Sequence, residues 1–248
     1  MRARKRGQAA LARRYNEGPV VRTSASPVPF LIGIAAFLGI LALAFKNKGA
    51  IVTGVTQAGQ LVGQAVDQAK VAAFNAALQL TQRWVPLFAP LTSNAGNRSA
   101  DLYRRVCAQF NVTSSPRYAA SPGVTWCNIY VWDATSAMSA EVPHWYDPAT
   151  GAATSVGRGV ETRANDVYNW LVKGFGGWRE GTYAEAVANA ALGRPSVAAY
   201  FNPTPGRSGH VAMVLPNGNI AQAGAHNYFD VPVKTGFGSL PVRYFLHA

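Results

Sequence analysis

Apolar and polar positions alternate differently in three stretches of the chain. Val28 to Phe45 (VPFLIGIAAFLGILALAF) is a run of 18 residues without a charged or polar side chain. At ~1.5 Å rise per residue such a run approaches the ~30 Å hydrocarbon thickness of a bilayer, and it predicts a transmembrane helix over 28–45. From Gly49 to about Pro90 the composition turns to Ala, Gln and Val, and Val55, Val62, Val66, Ala73, Ala77 and Trp84 recur at spacings near three, four and seven. This predicts an amphipathic helical stalk over 49–90, suited to self-association, or equally a helix packed on the domain that follows. Pro86, Pro90 and the cluster Thr92-Ser93-Asn94-Ala95-Gly96 break that helix and place a domain boundary near residue 95.

Residues 97–248 carry both cysteines, all four histidines and five of the six tryptophans. Helices are expected over Asp101 to Phe110, near Ala164 to Lys173 and near Tyr183 to Leu192, and a strand over Ser196 to Phe201 followed by a Pro/Gly loop, Asn202 to Arg207. After the turn Ser121-Pro122-Gly123, Thr125 is a candidate N-cap for a helix of about three turns beginning at Trp126-Cys127. Ile129, Tyr130, Val131 and Trp132 suit a strand as well, so helix and strand both stay open here.

Charge changes the picture only once it is mapped. The 248 residues hold 23 Lys+Arg against 11 Asp+Glu, a formal +12 that suggests nucleic acid. Nine of those bases, against the single acid Glu17, lie in residues 1–48. The basic leader 1–27 beside the apolar run therefore orients a membrane span, with the N-terminus cytoplasmic or interior and the rest of the chain on the far side. A cleaved signal peptide and a buried core helix are the competing readings. No sequence-specific nucleic-acid role is indicated. Two cysteines exclude a disulfide scaffold, and no Cys/His spacing suits zinc, so neither metal nor cofactor is expected.

Two stretches carry chemistry. Cys127 would sit in the first turn of a helix capped by Thr125, where the unpaired N–H groups and positive end of the dipole favour a thiolate. Gly209 to Gly224 reads as strand, turn, strand. Asn-Gly alone would make a two-residue loop, but Pro216-Asn217-Gly218 better fits a three-residue loop with glycine at the left-handed position. Leu215 then pairs with Asn219 and Ala212 with Gln222, which puts His210, Ala212, Gln222 and Gly224 on one face. Gln222 becomes the diagonal neighbour of His210.

Trp126-Cys127-Asn128-Ile129-Tyr130-Val131, Gly209-His210-Val211-Ala212-Met213-Val214 and Ile220-Ala221-Gln222-Ala223 resemble the CHAP and NlpC-type superfamily of papain-like peptidoglycan amidohydrolases. The resemblance covers residues 97–248. It implies an α+β papain-like domain, cleavage of an amide of cell-wall peptide, Cys127 as nucleophile, His210 as general base and Gln222 in the third position. In relatives that position is more often His, Asn or Glu. Asn219 and Asn227 are substitutes for it. With the transmembrane helix, the resemblance suggests an anchored wall hydrolase in a bacterial envelope or a phage particle, its partners the membrane and peptidoglycan. A catalytically inactive entry protein and a lytic transglycosylase using Glu141, Glu161, Glu180 or Glu185 are the alternatives.

Other candidates receive plainer readings. Cys107, beside Val106 and Phe110, is expected in the core. His226 is expected to be structural, and His144 a loop residue. Asp133 is expected to be solvated or capping, with recognition of a substrate amine as the alternative. Trp145, Trp170 and Trp178 are read as core rather than as sugar platforms.

Overall fold

The computed structural model describes residues 51–78 and 82–248. The chain divides into two units, residues 1–66 and 67–248, and the second holds every element discussed below apart from the start of the first helix. In order these are α1 (Ile51–Leu78), α2 (Ala100–Ala108), α3 (Cys127–Ala137), β1 (Trp145–Tyr146), β2 (Val160–Glu161), α4 (Ala164–Val172), β3 (Trp178–Gly181), α5 (Tyr183–Ala191), β4 (Ser196–Tyr200), β5 (His210–Val214), β6 (Ile220–Gln222), β7 (Tyr228–Val231), α6 (Val233–Phe237) and β8 (Arg243–His247). Six strands form one antiparallel sheet in the order β3-β8-β4-β5-β6-β7, and β1 and β2 pair separately.

The period-two alternation of the strands divides the core. Val197, Ala199, Val211, Met213 and Ala221 face a cluster built with α2, α3 and α4. Ala198, Ala212, Val214 and Ile220 face a smaller cluster containing Ala186 of α5 and Phe237 of α6. Both faces of β4 and β5 are therefore apolar, as a covered central strand requires.

Helix α3 resolves the helix-or-strand ambiguity. Nine of its eleven residues are buried, Cys127, Ile129, Tyr130 and Val131 among them. A helix buried all round needs no amphipathic stripe, and burial overrides the β preference of its aromatic and branched residues. Its N-cap is Trp126, not Thr125, and the cap makes no side-chain hydrogen bond.

Two expectations for the amino-terminal part need restating. Residues 90–93, read as linker, are tied down: Leu91 exchanges hydrogen bonds with the Gln109 carboxamide at 2.9 and 2.8 Å, and Ser93 N–H donates to Ala137 O. The last turns of α1 lie on the same unit, with Phe74 edge-on to Phe110 and Asp67 bonded to Arg105 at 2.8 Å.

The membrane-anchored architecture is corrected. Among the described residues no helix is long and apolar enough to cross a membrane. The run 28–45 and the leader 1–27 lie outside the described residues. α1 is long enough, but Gln60, Gln64, Asp67, Gln68 and Lys70 interrupt its apolar positions. A transmembrane helix ahead of the α+β domain is therefore not part of the observed fold, and the single-pass localisation is withdrawn with it.

Candidate active site

Cys127 is the first residue of α3, 2% exposed, with its backbone N–H in the helix turn whose donors lack intrahelical acceptors. His210 opens β5. The hairpin that carries it pairs Met213 with Ala221 and Val214 with Ile220, and Leu215 N–H donates to Asn219 O at 2.7 Å. This is the register of the three-residue loop. Gly218 holds φ 86, the left-handed conformation that glycine adopts without a Cβ clash.

That register brings Gln222 to the imidazole. Gln222 Oε1 lies 2.7 Å from His210 Nε2, and Gln222 Nε2 donates to His226 O at 3.3 Å. The second bond fixes which end of the carboxamide faces the ring. Gln222 Oε1 can only accept, so His210 Nε2 carries a proton and Nδ1 is left for the thiol.

The electrostatics of the pair run in opposite senses. Burial pushes the Cys127 thiol up, but the hydrogen bond and charge of His210, together with N–H bonds from Val211 and Asn128, outweigh it. The thiol therefore ionises below its usual range. Burial pulls His210 down, but the hydrogen bond and charge of Cys127, and then Gln222, outweigh it, so the imidazole titrates above its ordinary value. Both shifts favour the thiolate and the imidazolium over the neutral pair, the direction that makes a cysteine more nucleophilic.

The third residue is enclosed by parts of the chain that the sequence pattern does not mark. Phe237 of α6 lies over the imidazole, ring centroids 4.8 Å apart. A Cβ at Gly236 would overlap Gln222 Oε1, and a Cβ at Gly224 would lie 3.3 Å from Gln222 Nε2 and 3.4 Å from His210 Cε1. Gly209 backs directly onto the Tyr200 carbonyl and would put a Cβ 2.5 Å from Asn165 Oδ1. Gly224 and Gly236 let backbone approach the pair closely. Gly224 is visible in the sequence as a partner in the His210 row. Gly236 and Phe237 follow Pro232 in a five-residue helix too short to show periodicity.

The substitutes for Gln222 are committed elsewhere. Asn219 Nδ2 donates to Asp230 Oδ1 at 2.8 Å, while Asn227 donates to the Val112 and Tyr118 carbonyls and accepts from Gly224 N–H. His226 contributes its carbonyl, and its residue lines a cleft of about 450 Å³ with Thr113, Ala119, Ala120, Ala225, Asn227 and Tyr228. Its link to the dyad is His226, whose carbonyl accepts from Gln222 Nε2.

Other candidates fall outside the dyad. Cys107 is buried, and that burial pushes its thiol far up. Asp133 is not solvated: it is 4% exposed and takes a two-point bond from Arg117, Nε to Oδ2 at 2.7 Å and Nη2 to Oδ1 at 2.8 Å, plus the Tyr118 hydroxyl at 2.7 Å. The sequence reading failed here because Arg117 lies sixteen residues away, outside any local pattern. His144 is buried between the rings of Trp132 and Trp145. Burial, aided by Arg117, pulls it down to about 4, so it is neutral at physiological pH. Trp170 and Trp178 are buried, and Trp170 Nε1 donates to Gly151 O.

The glutamates are also spoken for. Glu141 accepts from Trp132 Nε1, Glu180 is paired with Arg243, and Glu185 closes the capping box of α5 with Thr182. The Arg243 hydrogen bond holds Glu180 below its usual range, and the Thr182 backbone and hydroxyl do so for Glu185, the wrong direction for a general acid. Glu161, 3.5 Å from His144, is raised by burial. Among the described residues no cluster of His, Cys, Asp and Glu could hold a metal ion. No protein-family model, curated protein or solved structure matches the chain.

Proposed function

We propose that residues 67–248 form a cysteine hydrolase that cleaves an amide bond in cell-wall peptide. The observation that carries the reading is the Cys127-His210-Gln222 arrangement, with the Cys127 thiol beside the His210 imidazole and Gln222 Oε1 2.7 Å from His210 Nε2, built by a helix N-terminus and a three-residue-loop hairpin. Array geometry supports acyl transfer. The choice of wall peptide rests on the resemblance of the Cys127, His210 and Gln222 segments to CHAP and NlpC-type amidohydrolases.

The steps follow from the array. Cys127 Sγ, as thiolate, attacks the amide carbonyl carbon, and the Cys127 N–H at the start of α3 supplies part of the oxyanion hole. His210 gives its proton to the amine nitrogen as the C–N bond breaks, which leaves a thioester on Cys127 and a neutral imidazole. Water then adds to the thioester with its proton passing to His210, and C–S cleavage returns the thiolate and a carboxylic acid. Gln222 holds the Nε2 proton in place throughout. A neutral carboxamide fixes the tautomer but lends no charge to the imidazolium, which therefore depends on Cys127 itself for stabilisation.

The test uses the full chain on purified cell walls. Wild type is expected to clear walls and release new peptide amines, and Cys127→Ala to do neither. Clearing that survives Cys127→Ala would overturn the cysteine mechanism, and anhydro sugars among the products would replace it with a transglycosylase.

A further inference from the structure

The helix that presents the nucleophile starts without a capping side chain. Trp126, at φ −123 and ψ 33, makes no hydrogen bond to the helix from its ring, and its Nε1 is buried without a hydrogen-bond partner. Helices usually close this end with a Ser, Thr, Asp or Asn oxygen. Here the holding contact comes from a different segment. The Arg83 guanidinium lies over the Trp126 indole, 4.3 Å from the ring centroid, within range of a cation–π attraction.

Arg83 is itself held on three backbone carbonyls. Its Nε donates to Arg117 O at 2.7 Å, and its Nη2 to Pro116 O at 2.9 Å and Ala119 O at 3.3 Å. Arg117 reaches the opposite way, donating to Gln82 O at 2.7 Å and Val85 O at 3.1 Å while its remaining edge grips Asp133 of α3. Two crossed arginines thus fasten residues 82–85 to the 116–119 loop. One ends on the middle of α3 and the other on the residue before Cys127. A planar guanidinium suits this use, since it bonds carbonyls at its edge while its face rests on an aromatic ring.

We propose that Arg83 is a positioning residue for Cys127: by clamping Trp126 against the 116–119 loop it fixes the first turn of α3 and so aims the thiol at His210. The proposal rests on the reading of Cys127 as the nucleophile. Arg83 touches no reacting atom. One consequence is that the working unit begins upstream of the boundary near residue 95 that composition suggests, because residues 82–85 supply a part of the site's geometry in cis.

The experiment measures carbamidomethylation of Cys127 by iodoacetamide in the full chain, with peptide mapping to separate it from Cys107. Arg83→Ala is expected to slow the reaction at neutral pH by about tenfold or more, since small misplacements of reacting groups carry large rate costs. Arg83→Lys, which keeps a cation for the indole but loses the carbonyl fork, recovers part of the rate. Arg105→Ala breaks the Asp67 contact without touching Trp126; it lowers the melting temperature and leaves the rate within about twofold.

Should Arg83→Ala fail to fold, Trp126→Leu removes the ring and leaves the carbonyl bonds intact. It slows alkylation similarly, and Arg83→Lys adds little to it, as coupled residues behave in a double-mutant cycle. A wild-type rate in Arg83→Ala, equal slowing in Arg105→Ala, or additive effects of the Arg83 and Trp126 changes would each overturn the proposal. Alkylation reads the thiol without any wall substrate. Absence of wall cleavage by wild type would thus count against the hydrolase reading alone, and unchanged alkylation in Arg83→Ala against the clamp alone.

Discussion

Gly236→Ala is a one-carbon test of how the third residue works. The added Cβ would fall on Gln222 Oε1, well inside the 3.0 Å that real Cβ atoms keep, with Ile220 Cδ1 at 2.6 Å and Gln222 Cδ at 2.9 Å. Ile220 is fully buried and cannot swing away, so the carboxamide gives ground by about 1 Å. The 2.7 Å bond to His210 Nε2 then exceeds the ~3.2 Å limit of a useful hydrogen bond. A hydrogen bond to a group that becomes charged is worth about 1.5–3 kcal/mol, which predicts a roughly ten- to hundredfold fall in turnover. Gly224→Ala meets the same pair at 3.3 and 3.4 Å and should cost far less. Steady-state release of peptide amines from cell walls, with circular dichroism to confirm folding, checks both. Full activity in Gly236→Ala, or an equal loss in the two variants, would refute the role given to Gln222.

Four further outcomes follow from the contacts of buried groups. In Cys127→Ala the partner that raises His210 is gone and burial remains, so its pKa should drop below the ordinary histidine value, measured by NMR titration; a value still above it would contradict the pairing. In wild type, the stability due to His210 is present below its unfolded pKa and lost as pH rises through its raised folded value. That due to Cys127 is present above its unfolded pKa and lost as pH falls through its lowered one. Asp133→Ala should cost about 3–5 kcal/mol by leaving Arg117 buried and unpaired, whereas Arg117→Met with Asp133→Leu should recover most of it, both read by urea denaturation. His144, held neutral down to about 4, destabilises the fold as pH drops below the usual histidine range. His144→Phe should remove that acid-side slope in melting temperature and leave the activity profile at pH 6–8 unchanged.

The residues that meet at the site were legible where the determinants were local. Pro216-Asn217-Gly218 specifies a turn, the turn specifies a register, and the register puts Gln222 rather than Asn219 or Asn227 beside His210. The first turn of a helix is readable as a thiolate site for the same reason. What stayed hidden depends on contacts distant in sequence. The Arg117–Asp133 pair, Arg83 on Trp126, and Gly236 and Phe237 over the His210–Gln222 pair join segments fourteen to more than forty residues apart or occupy elements too short to leave a pattern. Residues 90–93 look like linker by composition, yet the Gln109 carboxamide makes them part of the packed unit. The apolar run 28–45 shows the converse: hydropathy alone suggested a span, and the architecture built on it is not supported by any described helix.

The central claim is that Cys127 forms a thioester with the acyl half of a wall-peptide amide. Intact-protein mass spectrometry of the full chain, quenched in acid during turnover of purified cell walls, tests it most directly. The account predicts a peptide acyl adduct that maps to Cys127, disappears on incubation at neutral pH as hydrolysis completes, and is missing from Cys127→Ala. New peptide amines in the digest without any adduct on Cys127, or an adduct on Cys107, would contradict it.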